Sequence, residues 1–568
     1  MEISSHEKLF IWNQPKLLIM QKLTINYLLF LLSGSLLVFS CNKQLDKTPE
    51  SQLSDATFWK NPNDLKLACN ALYSYLPGME SNGYDNRSDN AYGLAPNDIS
   101  DGSRVVTGSN SDWSRSYAAI RIANNIIEKA TNVTGNAAEI NRYISEAKFF
   151  RAYFHFELTK RFGDVPLILR TFTDADTLMK AHRTNRNIVI DSALKDLTDA
   201  APYLPTAQSL QNEDYGRISS GATIALKSVV ALFEGSWAKY HEENTSYSNK
   251  YFDTVINASQ QLISSGQYSL FNYSPKQDSS YFYLFQYAGD GATNSESIFV
   301  RLYGQNIFNS IASHRYTQNL DSGYTCATRS LMDAYLYKDG LPIGKTTYST
   351  TQDSTMAEFT NRDPRLGMTV FNKDLWYISS DYQPTFSFTL TGYKTAKYFI
   401  PSDFGLNASY VDNIIIRYAE ILLNYAEATY ERNGSISDNV LNTTINLLRK
   451  RVNMPDLTNS FVSSNGLNML DEIRRERRVE FALEGNHRYW DIIRWKIAEN
   501  VLPLAVRGSK IFANEQSNIP SNPNLDENRY IIVQSAALRK FDPQKDYLTP
   551  LPTNDIGNDE NLTQNLGW

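Results

Sequence analysis

The sequence predicts a mostly α-helical protein with a loop-rich second lobe, and three observations support this prediction. Apolar residues recur at intervals of three and four across residues 62–265, which is the period of an amphipathic helix. Tyr, Phe, Ser, Thr and Gly dominate residues 266–410, where helical periodicity is weak. The helical pattern resumes after residue 410. Helix pairs of this size are typical of tetratricopeptide-like packing, although the repeats are too divergent to define a period.

The first helices can be placed from their start signals and their apolar stripes. Asn61-Pro62 predicts an N-cap followed by proline in the first turn, and Pro77-Gly78 ends that helix. A second helix carries one buried stripe, in which Asn124 needs a hydrogen-bond partner. A third helix is predicted over Ala137–Phe162. The stripe of the second helix consists of Trp113, Tyr117, Ile120, Asn124 and Ile127.

Further helical patterns divide the mature chain into three parts. The first part, residues 55–265, ends with helices at about 187–202, 216–241 and 251–265. The second part, residues 266–410, is predicted to form the loop-rich lobe. The third part, residues 411–568, is predicted to contain helices over Asn413–Arg432, Ser437–Val452, Leu470–Leu483 and about 487–499, followed by a loop-like tail.

Composition restricts the class of protein and of partner. The chain has 568 residues, of which 42% are hydrophobic and 20% charged, a balance typical of globular proteins rather than disordered ones. The net charge is −6 and no long basic run is present. We therefore expect no nucleic-acid partner, because phosphate binding needs clustered Lys and Arg.

The N-terminus has the features of a secretion signal. The apolar stretch Leu28–Phe39 follows Lys22 and is too short to span a bilayer, which needs about 20 residues. Ser40 and Cys41 come directly after it, as in a bacterial lipobox. The alternatives are a plain secretory signal with an incidental cysteine, or an uncleaved anchor.

The lipobox interpretation defines the mature start. Residues 1–40 are then a signal peptide, with Met20 as an alternative first residue. The sulfur of Cys41 is acylated, and acyl chains hold the protein on a membrane surface without spanning it. Residues 41–54 form a polar tether between the lipid and the fold.

The other two cysteines and the histidines indicate no metal site. Cys69 and Cys326 are able to pair only if the fold brings them close, which the sequence does not determine. The sequence has no CxxC motif and only six scattered histidines, so we expect neither a zinc site nor a cofactor. Carboxylates in the loop Asp85–Asp101 leave Ca²⁺ binding open, although their spacing does not match an EF-hand.

Several segments occur together in the order typical of one family of outer-membrane lipoproteins. The segments are Phe58-Trp59, Trp113–Asn124, Glu146–Tyr153, Phe162–Leu167, Asp339–Pro342, Arg362–Arg365, Arg417–Ala428, Glu476–Gly485, Leu551-Pro552 and Asn561–Asn565. Each segment is weak evidence alone, but together they cover nearly the whole mature chain. Their joint order resembles that of the SusD/RagB family.

The resemblance implies a role in nutrient capture. Members of the family are mostly helical, with tetratricopeptide-like helix pairs. They are lipid-anchored on the outer surface of the outer membrane and cover a SusC-like TonB-dependent barrel transporter. They capture an oligosaccharide, or an oligopeptide in the RagB branch, and pass it to the barrel. The matched motifs look structural, so we expect Arg477 and Glu484 to hold helices together rather than to catalyse a reaction.

Residue type and loop position indicate the candidate ligand-binding residues. Sugar sites use aromatic platforms and planar polar groups, and loops on a rigid scaffold carry variable recognition. The loops Gly78–Ser111 and Tyr281–Tyr287 supply both residue types. The candidates are Tyr84, Asn86, Tyr92, Tyr283, Tyr287 and Trp376.

No catalytic motif is present, so we expect a binding protein rather than an enzyme. The sequence has no GxSxG elbow and no HExxH motif. A glycoside hydrolase remains an alternative because two carboxylates, which no motif reveals, are enough for that chemistry. A lid that assembles with a transporter but binds no ligand of its own is the other alternative.

Overall fold

The structure is a computed structural model that describes residues 58–79, 85–172, 176, 180–304, 312–372, 389–406, 408–512 and 523–568. The chain forms two compact units, Met1–Lys60 and Asn61–Trp568. The predicted signal peptide, the lipidation of Cys41 and the tether all lie outside the described residues, as do the candidates Tyr84 and Trp376.

The described chain is mostly helical, as predicted, with three small two-stranded sheets. The helices of its first part are α1 (Pro62–Tyr73), α2 (Asp98–Asp101), α3 (Ser111–Lys129), α4 (Ala137–Phe162), α5 (Arg186–Ala200), α6 (Ser220–Tyr240) and α7 (Thr245–Ser265). Short helices follow, namely α8 (Ser280–Tyr283), α9 (Tyr316–Asp321), α10 (Arg329–Ala334), α11 (Pro364–Thr369) and α12 (Pro401–Phe404).

The last helices are α13 (Tyr418–Asn433), α14 (Asp438–Asn442), α15 (Ile445–Arg451), α16 (Asn459–Ser464), α17 (Met469–Glu480), α18 (His487–Arg494), α19 (Ala498–Val501) and α20 (Thr553–Asn558). The strands are β1 (Ala91–Tyr92), β2 (Ser297–Arg301), β3 (Cys326–Ala327), β4 (Asn413–Arg417), β5 (Val506–Lys510) and β6 (Tyr530–Gln534). They pair antiparallel as β1 with β3, β2 with β4, and β5 with β6.

The long helices stack in chain order. Helix α3 packs on α4, α4 on α5, α5 on α6 and α6 on α7, and α7 also meets α13. This succession is the arrangement expected of stacked helix pairs. Asparagine side chains cap seven of the described helices at their N-termini and so satisfy backbone N–H groups that have no partner inside the helix. The capping residues are Asn61, Asn97, Asn110, Asn136, Asn185, Asn244 and Asn468.

The structure confirms that Asn124 and Arg477 make structural contacts. Asn124 is buried, donates to the carbonyl of Ile168 over 3.1 Å and accepts from Nη1 of Arg151 over 2.9 Å. Nε of Arg477 donates to both carboxylate oxygens of Asp491, each over 3.0 Å. Both side chains therefore join separate segments in the interior.

The predicted start of one helix was wrong. The prediction of helix over Asn413–Arg432 fails for the first five residues, which form β4 and pair with β2. The run Ile414–Ile416 is β-branched, and such side chains favour strands when a partner strand is available.

Two other expectations need smaller corrections. The helix predicted over Ser437–Val452 breaks at Thr443 and Thr444, leaving α14 and α15 as separate short helices. The loop predicted over Gly78–Ser111 contains β1 and the single turn of α2.

Two features are absent from the described residues: a disulfide between Cys69 and Cys326, and a helix able to span a membrane. Cys69 and Cys326 are both buried free thiols, so they do not form the disulfide that the sequence left open. Among the helices of the described ranges, none combines the length and apolar character that a membrane span requires.

Candidate functional site

The loop before β1 is clamped against two distant parts of the chain. Asp85 is buried and accepts hydrogen bonds from Oγ of Ser88 (2.9 Å) and Nδ2 of Asn90 (2.8 Å). The carboxylate of Asp89 pairs with Nε of Arg488 over 2.8 Å and with Nη2 of Arg478 over 2.9 Å. These contacts tie a loop from the N-terminal part to helices α17 and α18, so its side chains have defined positions.

Burial also changes the ionisation of these two carboxyl groups. Burial raises the pKa of Asp85 to about 7, although hydrogen bonds from Asn90 and Ser88 oppose the rise. Burial alone would also raise the pKa of Asp89. The charges of Arg478 and Arg488 outweigh this effect and hold the pKa of Asp89 below its ordinary value. Asp89 is therefore the charged anchor of the loop at neutral pH.

The clamped loop places one predicted ligand residue beside an exposed tyrosine. Nδ2 of Asn86 donates to the carbonyl oxygen of Tyr324 over 2.8 Å. Tyr324 follows α9 and is 46% exposed. Oδ1 of Asn86 is buried and accepts no hydrogen bond from the described residues, so a water or a ligand hydroxyl that reaches it would satisfy this acceptor. We call Asn86, Gly93 and Tyr324 the Asn86–Tyr324 surface.

Gly93 allows this close approach. A Cβ atom at Gly93 would lie 2.8 Å from Nδ2 of Asn86 and 2.9 Å from the carbonyl oxygen of Tyr324. Both distances are too short for a carbon atom, so any side chain here would push Asn86 and Tyr324 apart. Because Gly93 has no Cβ, the loop before β1 can pack directly against the turn after α9.

Tyr287, another predicted residue, forms a partly exposed aromatic surface with Phe404 of α12. Its hydroxyl donates to Oδ2 of Asp403 over 2.9 Å and accepts from the backbone N–H of Tyr410 over 3.1 Å. The ring is 41% exposed, and the neighbouring Phe404 at the end of α12 is 50% exposed. Gln318 of α9 donates to the carbonyl of Asp403 over 2.7 Å, so α9 connects this surface to Tyr324.

The remaining described candidates are less accessible. Tyr92 lies in β1 and is only 5% exposed, which leaves little of its ring for a ligand. Tyr283 is half-buried and stacks on Tyr273 with 3.8 Å between the ring centroids. Next to this stack is a cleft of about 800 Å³, lined in part by Phe271, Asn272 and Asp278.

The exposed rings and the Asn86 amide have the chemistry of a recognition surface. Exposed rings offer flat apolar faces, and the Asn86 amide offers a planar acceptor, which is the combination that sugar rings require. Among the described residues, no group of three or more His, Cys, Asp or Glu side chains is placed to hold a metal ion. In the loop Asp85–Asp101, both Asp85 and Asp89 are already engaged by protein partners.

Comparison with known proteins places the chain in a family. A profile of the SusD family matches residues 284–568, half of the chain. A second profile, described as starch-binding and associating with the outer membrane, matches residues 45–232. The chain belongs to the SusD family.

SusD-like relatives match over most of the chain. A SusD-like protein P2 from Formosa agariphila is 24% identical, over 96% of this chain and 99% of its own length. A SusD-like protein from Bacteroides ovatus is 24% identical, over 82% of each chain. A solved SusD-like carbohydrate binding protein from Bacteroides fragilis has 25% identity and a TM-score of 0.73, over 89% of this chain and all of that one.

Sequence reasoning did not nominate Tyr324 in this SusD family member. The signal for it is the turn Ser322-Gly323, in which Gly323 has a φ of 78° and ends α9. Tyr324 comes directly after this turn and is 46% exposed, whereas Tyr92 inside its strand is 5% exposed, so Tyr324 is the stronger ligand candidate.

Proposed function

We propose that the protein is a surface lipoprotein that captures an oligosaccharide and delivers it to a SusC-like TonB-dependent transporter. It acts by binding and not by cleaving the glycan. The observation that carries the proposal is the exposed side chain of Tyr324, whose backbone carbonyl is held by the amide of Asn86. Membership of the SusD family and the likeness to a SusD-like carbohydrate binding protein support the ligand class.

Recognition starts at the Asn86–Tyr324 surface. The ring of Tyr324 takes the apolar face of a sugar, while Oδ1 of Asn86 accepts from a sugar hydroxyl. Tyr287 and Phe404 extend the binding face along α9, so that a chain of several sugar units is contacted. Tyr84 and Trp376 remain predicted members of this face.

The location follows from the N-terminus and the family. Cleavage before Cys41 and acylation of its sulfur would anchor the protein to the outer membrane, with residues 41–54 as the tether. The profile described as associating with the outer membrane supports this location. A protein on that membrane can pass its ligand to a barrel transporter without release into solution.

Calorimetric titration of the full-length chain in detergent tests the capture step. The ligands are a panel of oligosaccharides, polysaccharides and oligopeptides, and each mixture is also assayed for cleavage products. We expect binding of at least one oligosaccharide without products. Tyr324→Ala should weaken that binding by about tenfold, because it removes a stacking face.

Tyr203→Ala is the matched control, since Tyr203 is also exposed but lies at the end of α5, far from Asn86 in the fold. It should bind like the unaltered protein. Cleavage products, or binding of peptides only, would overturn the proposal. For the location, Cys41→Ser should release the protein from the membrane, and its retention would contradict lipid anchoring.

A further inference from the structure

A second candidate site, distinct from the Asn86–Tyr324 surface, lies within the helical part. It is a cavity of about 550 Å³ between α3, α4, α6, α18 and β4. Ligand sites commonly have volumes of about 300–1,000 Å³, so the cavity has room for one or two sugar-sized rings. Ser111, Asp112 and Arg115 line its mouth and are exposed, so it opens to solvent at the start of α3.

One wall of the cavity is apolar and another carries a cluster of charges. The apolar wall includes Phe154, Val229 and Ile415. On the charged wall, Nε of Arg161 donates to Oδ2 of Asp112 over 2.9 Å, and Nζ of Lys160 donates to Oε1 of Glu157 over 2.5 Å.

Trp490 holds the two cations of this wall in place. Nζ of Lys160 lies 4.6 Å from the centre of the Trp490 ring, and the guanidinium carbon of Arg161 lies 5.1 Å from it. The positive charges of Lys160 and Arg161 are therefore balanced by the carboxylates of Asp112 and Glu157 on this wall.

Arg87 adds a positive charge that forms no direct pair within the described chain. Its partly buried side chain lines the cavity, yet it donates no hydrogen bond and forms no ion pair with a described residue. Burial lowers the pKa of Arg87 and the nearby charge of Arg161 lowers it further, while Tyr489, Asp112 and Asp98 oppose this only in part, so its placement here costs free energy. Buried charges are normally paired, which makes this position unusual for a structural residue.

The clamped loop fixes Arg87 in this position. Arg87 lies between Asp85 and Asp89, whose carboxylates are held by Asn90 and by Arg488. The loop thus presents the guanidinium to the cavity in advance, which reduces the entropy lost when a ligand binds.

The cavity also offers an acceptor. Glu420 of α13 lines it and accepts no hydrogen bond from the described residues; its nearest cation, Nη2 of Arg477, is 3.6 Å away. Burial raises the pKa of Glu420 to about 7 against the charge of Arg477.

We propose that this cavity binds a small sugar carrying a carboxylate, phosphate or sulfate group. The oxyanion pairs with the guanidinium of Arg87, whose planar N–H groups match such oxygens. The apolar wall covers the ring, and the carboxyl group of Glu420 accepts a hydrogen bond from a hydroxyl group of the sugar. The site is separate from the Asn86–Tyr324 surface, and its existence does not depend on glycan delivery to a transporter.

Calorimetry on the full-length chain in detergent tests this proposal with four probes: glucuronate, a glucose monophosphate, a glucose monosulfate and glucose. We expect at least one charged probe to bind and glucose to bind undetectably, and the three charged probes identify the oxyanion. Arg87→Gln should weaken binding at least about tenfold, the loss expected for a charge-assisted hydrogen bond. It should leave the thermal unfolding midpoint unchanged or raise it, because Arg87 has no hydrogen-bond partner among the described residues and its burial costs free energy.

Two control variants make the result specific. Arg121→Gln removes an equal charge from an exposed position on α3 and should bind the probe normally. Tyr324→Ala should also bind it normally, because it alters only the surface site. The proposal is overturned if no charged probe binds, if Arg87→Gln binds as well as the unaltered protein, or if Tyr324→Ala alone weakens the binding.

Discussion

Arg417 and Glu484 form a two-point ion pair in the interior, in which Nε and Nη2 of Arg417 donate to the two carboxylate oxygens over 2.9 and 2.8 Å. The other N–H groups of Arg417 donate to Glu296 and Glu480, so all five donors of the guanidinium are used. Arg417 is the last residue of β4, and Glu484 follows α17. One buried cation therefore joins the loop-rich part to the C-terminal helices.

Removing Arg417 should destabilise the fold strongly. Arg417→Met leaves the carboxylates of Glu296, Glu480 and Glu484 close together without their shared cation. We expect a loss of about 3–5 kcal/mol in the free energy of unfolding, the usual result of breaking a buried pair. Urea denaturation measures it. Arg121→Met, an exposed control, should change the midpoint little, and equal midpoints for both variants would contradict a stabilising network.

Acid should unfold the protein partly through Glu427. Burial alone would raise the pKa of this carboxyl, but the charge and hydrogen bonds of Arg494 outweigh it and hold the pKa well below the ordinary value. A depressed pKa in the folded state contributes stability that is present above about pH 4.3, the unfolded value, and is lost as pH falls further.

Glu427→Gln tests this linkage. The variant should be less stable at neutral pH, because the pairing with Arg494 over 2.5 and 2.7 Å is lost. Between about pH 5 and pH 2 its stability should fall less steeply than that of the unaltered protein. Thermal unfolding at a series of pH values gives the slopes. Glu139→Gln, at an exposed position, should keep the original slope; if both variants keep it, Glu427 is not a source of acid sensitivity.

The helices were predictable because each one depends on local signals. The apolar stripe of Trp113 to Ile127 and the cap at Asn110 lie within one segment of sequence. By contrast, β4 exists because Ser297–Arg301 lies beside it, more than a hundred residues earlier. A short apolar run such as Ile414–Ile416 suits a strand or a buried helix, and only the distant partner decides between them.

The candidate site was predictable only in part for the same reason. Asn86 was nominated from its loop, but its contact with Tyr324 joins residues 238 positions apart. Arg87, the neighbour of Asn86, was not nominated, because its lack of an anionic partner is a property of the folded chain. Loop position therefore indicated the segment that contains both Asn86 and Arg87, without separating the residue on the surface from the one in the cavity.

The two buried thiols should be inert in the native protein. Burial raises the pKa of both Cys69 and Cys326, and thiolate is the reactive form. We expect an aromatic disulfide reagent to modify neither thiol in the native state and both after denaturation. A reductant should leave the melting temperature unchanged, since no disulfide joins them. A lower melting temperature in reductant would show that a disulfide stabilises the protein.

Gly93 gives the sharpest test of the Asn86–Tyr324 surface, because it alters the surface without removing a ligand contact. In Gly93→Ala the new methyl group would meet Nδ2 of Asn86 at 2.8 Å and the carbonyl of Tyr324 at 2.9 Å. We expect a loss of about 1–3 kcal/mol in stability from this overpacking, together with weaker glycan binding as the two residues separate. Gly557→Ala is the matched control, since a Cβ there meets nothing within 4 Å. Both variants are titrated with the same oligosaccharide after their unfolding curves confirm a folded state. If Gly93→Ala binds as tightly as Gly557→Ala, the spacing between Asn86 and Tyr324 does not matter for recognition, and the ligand lies elsewhere on the protein.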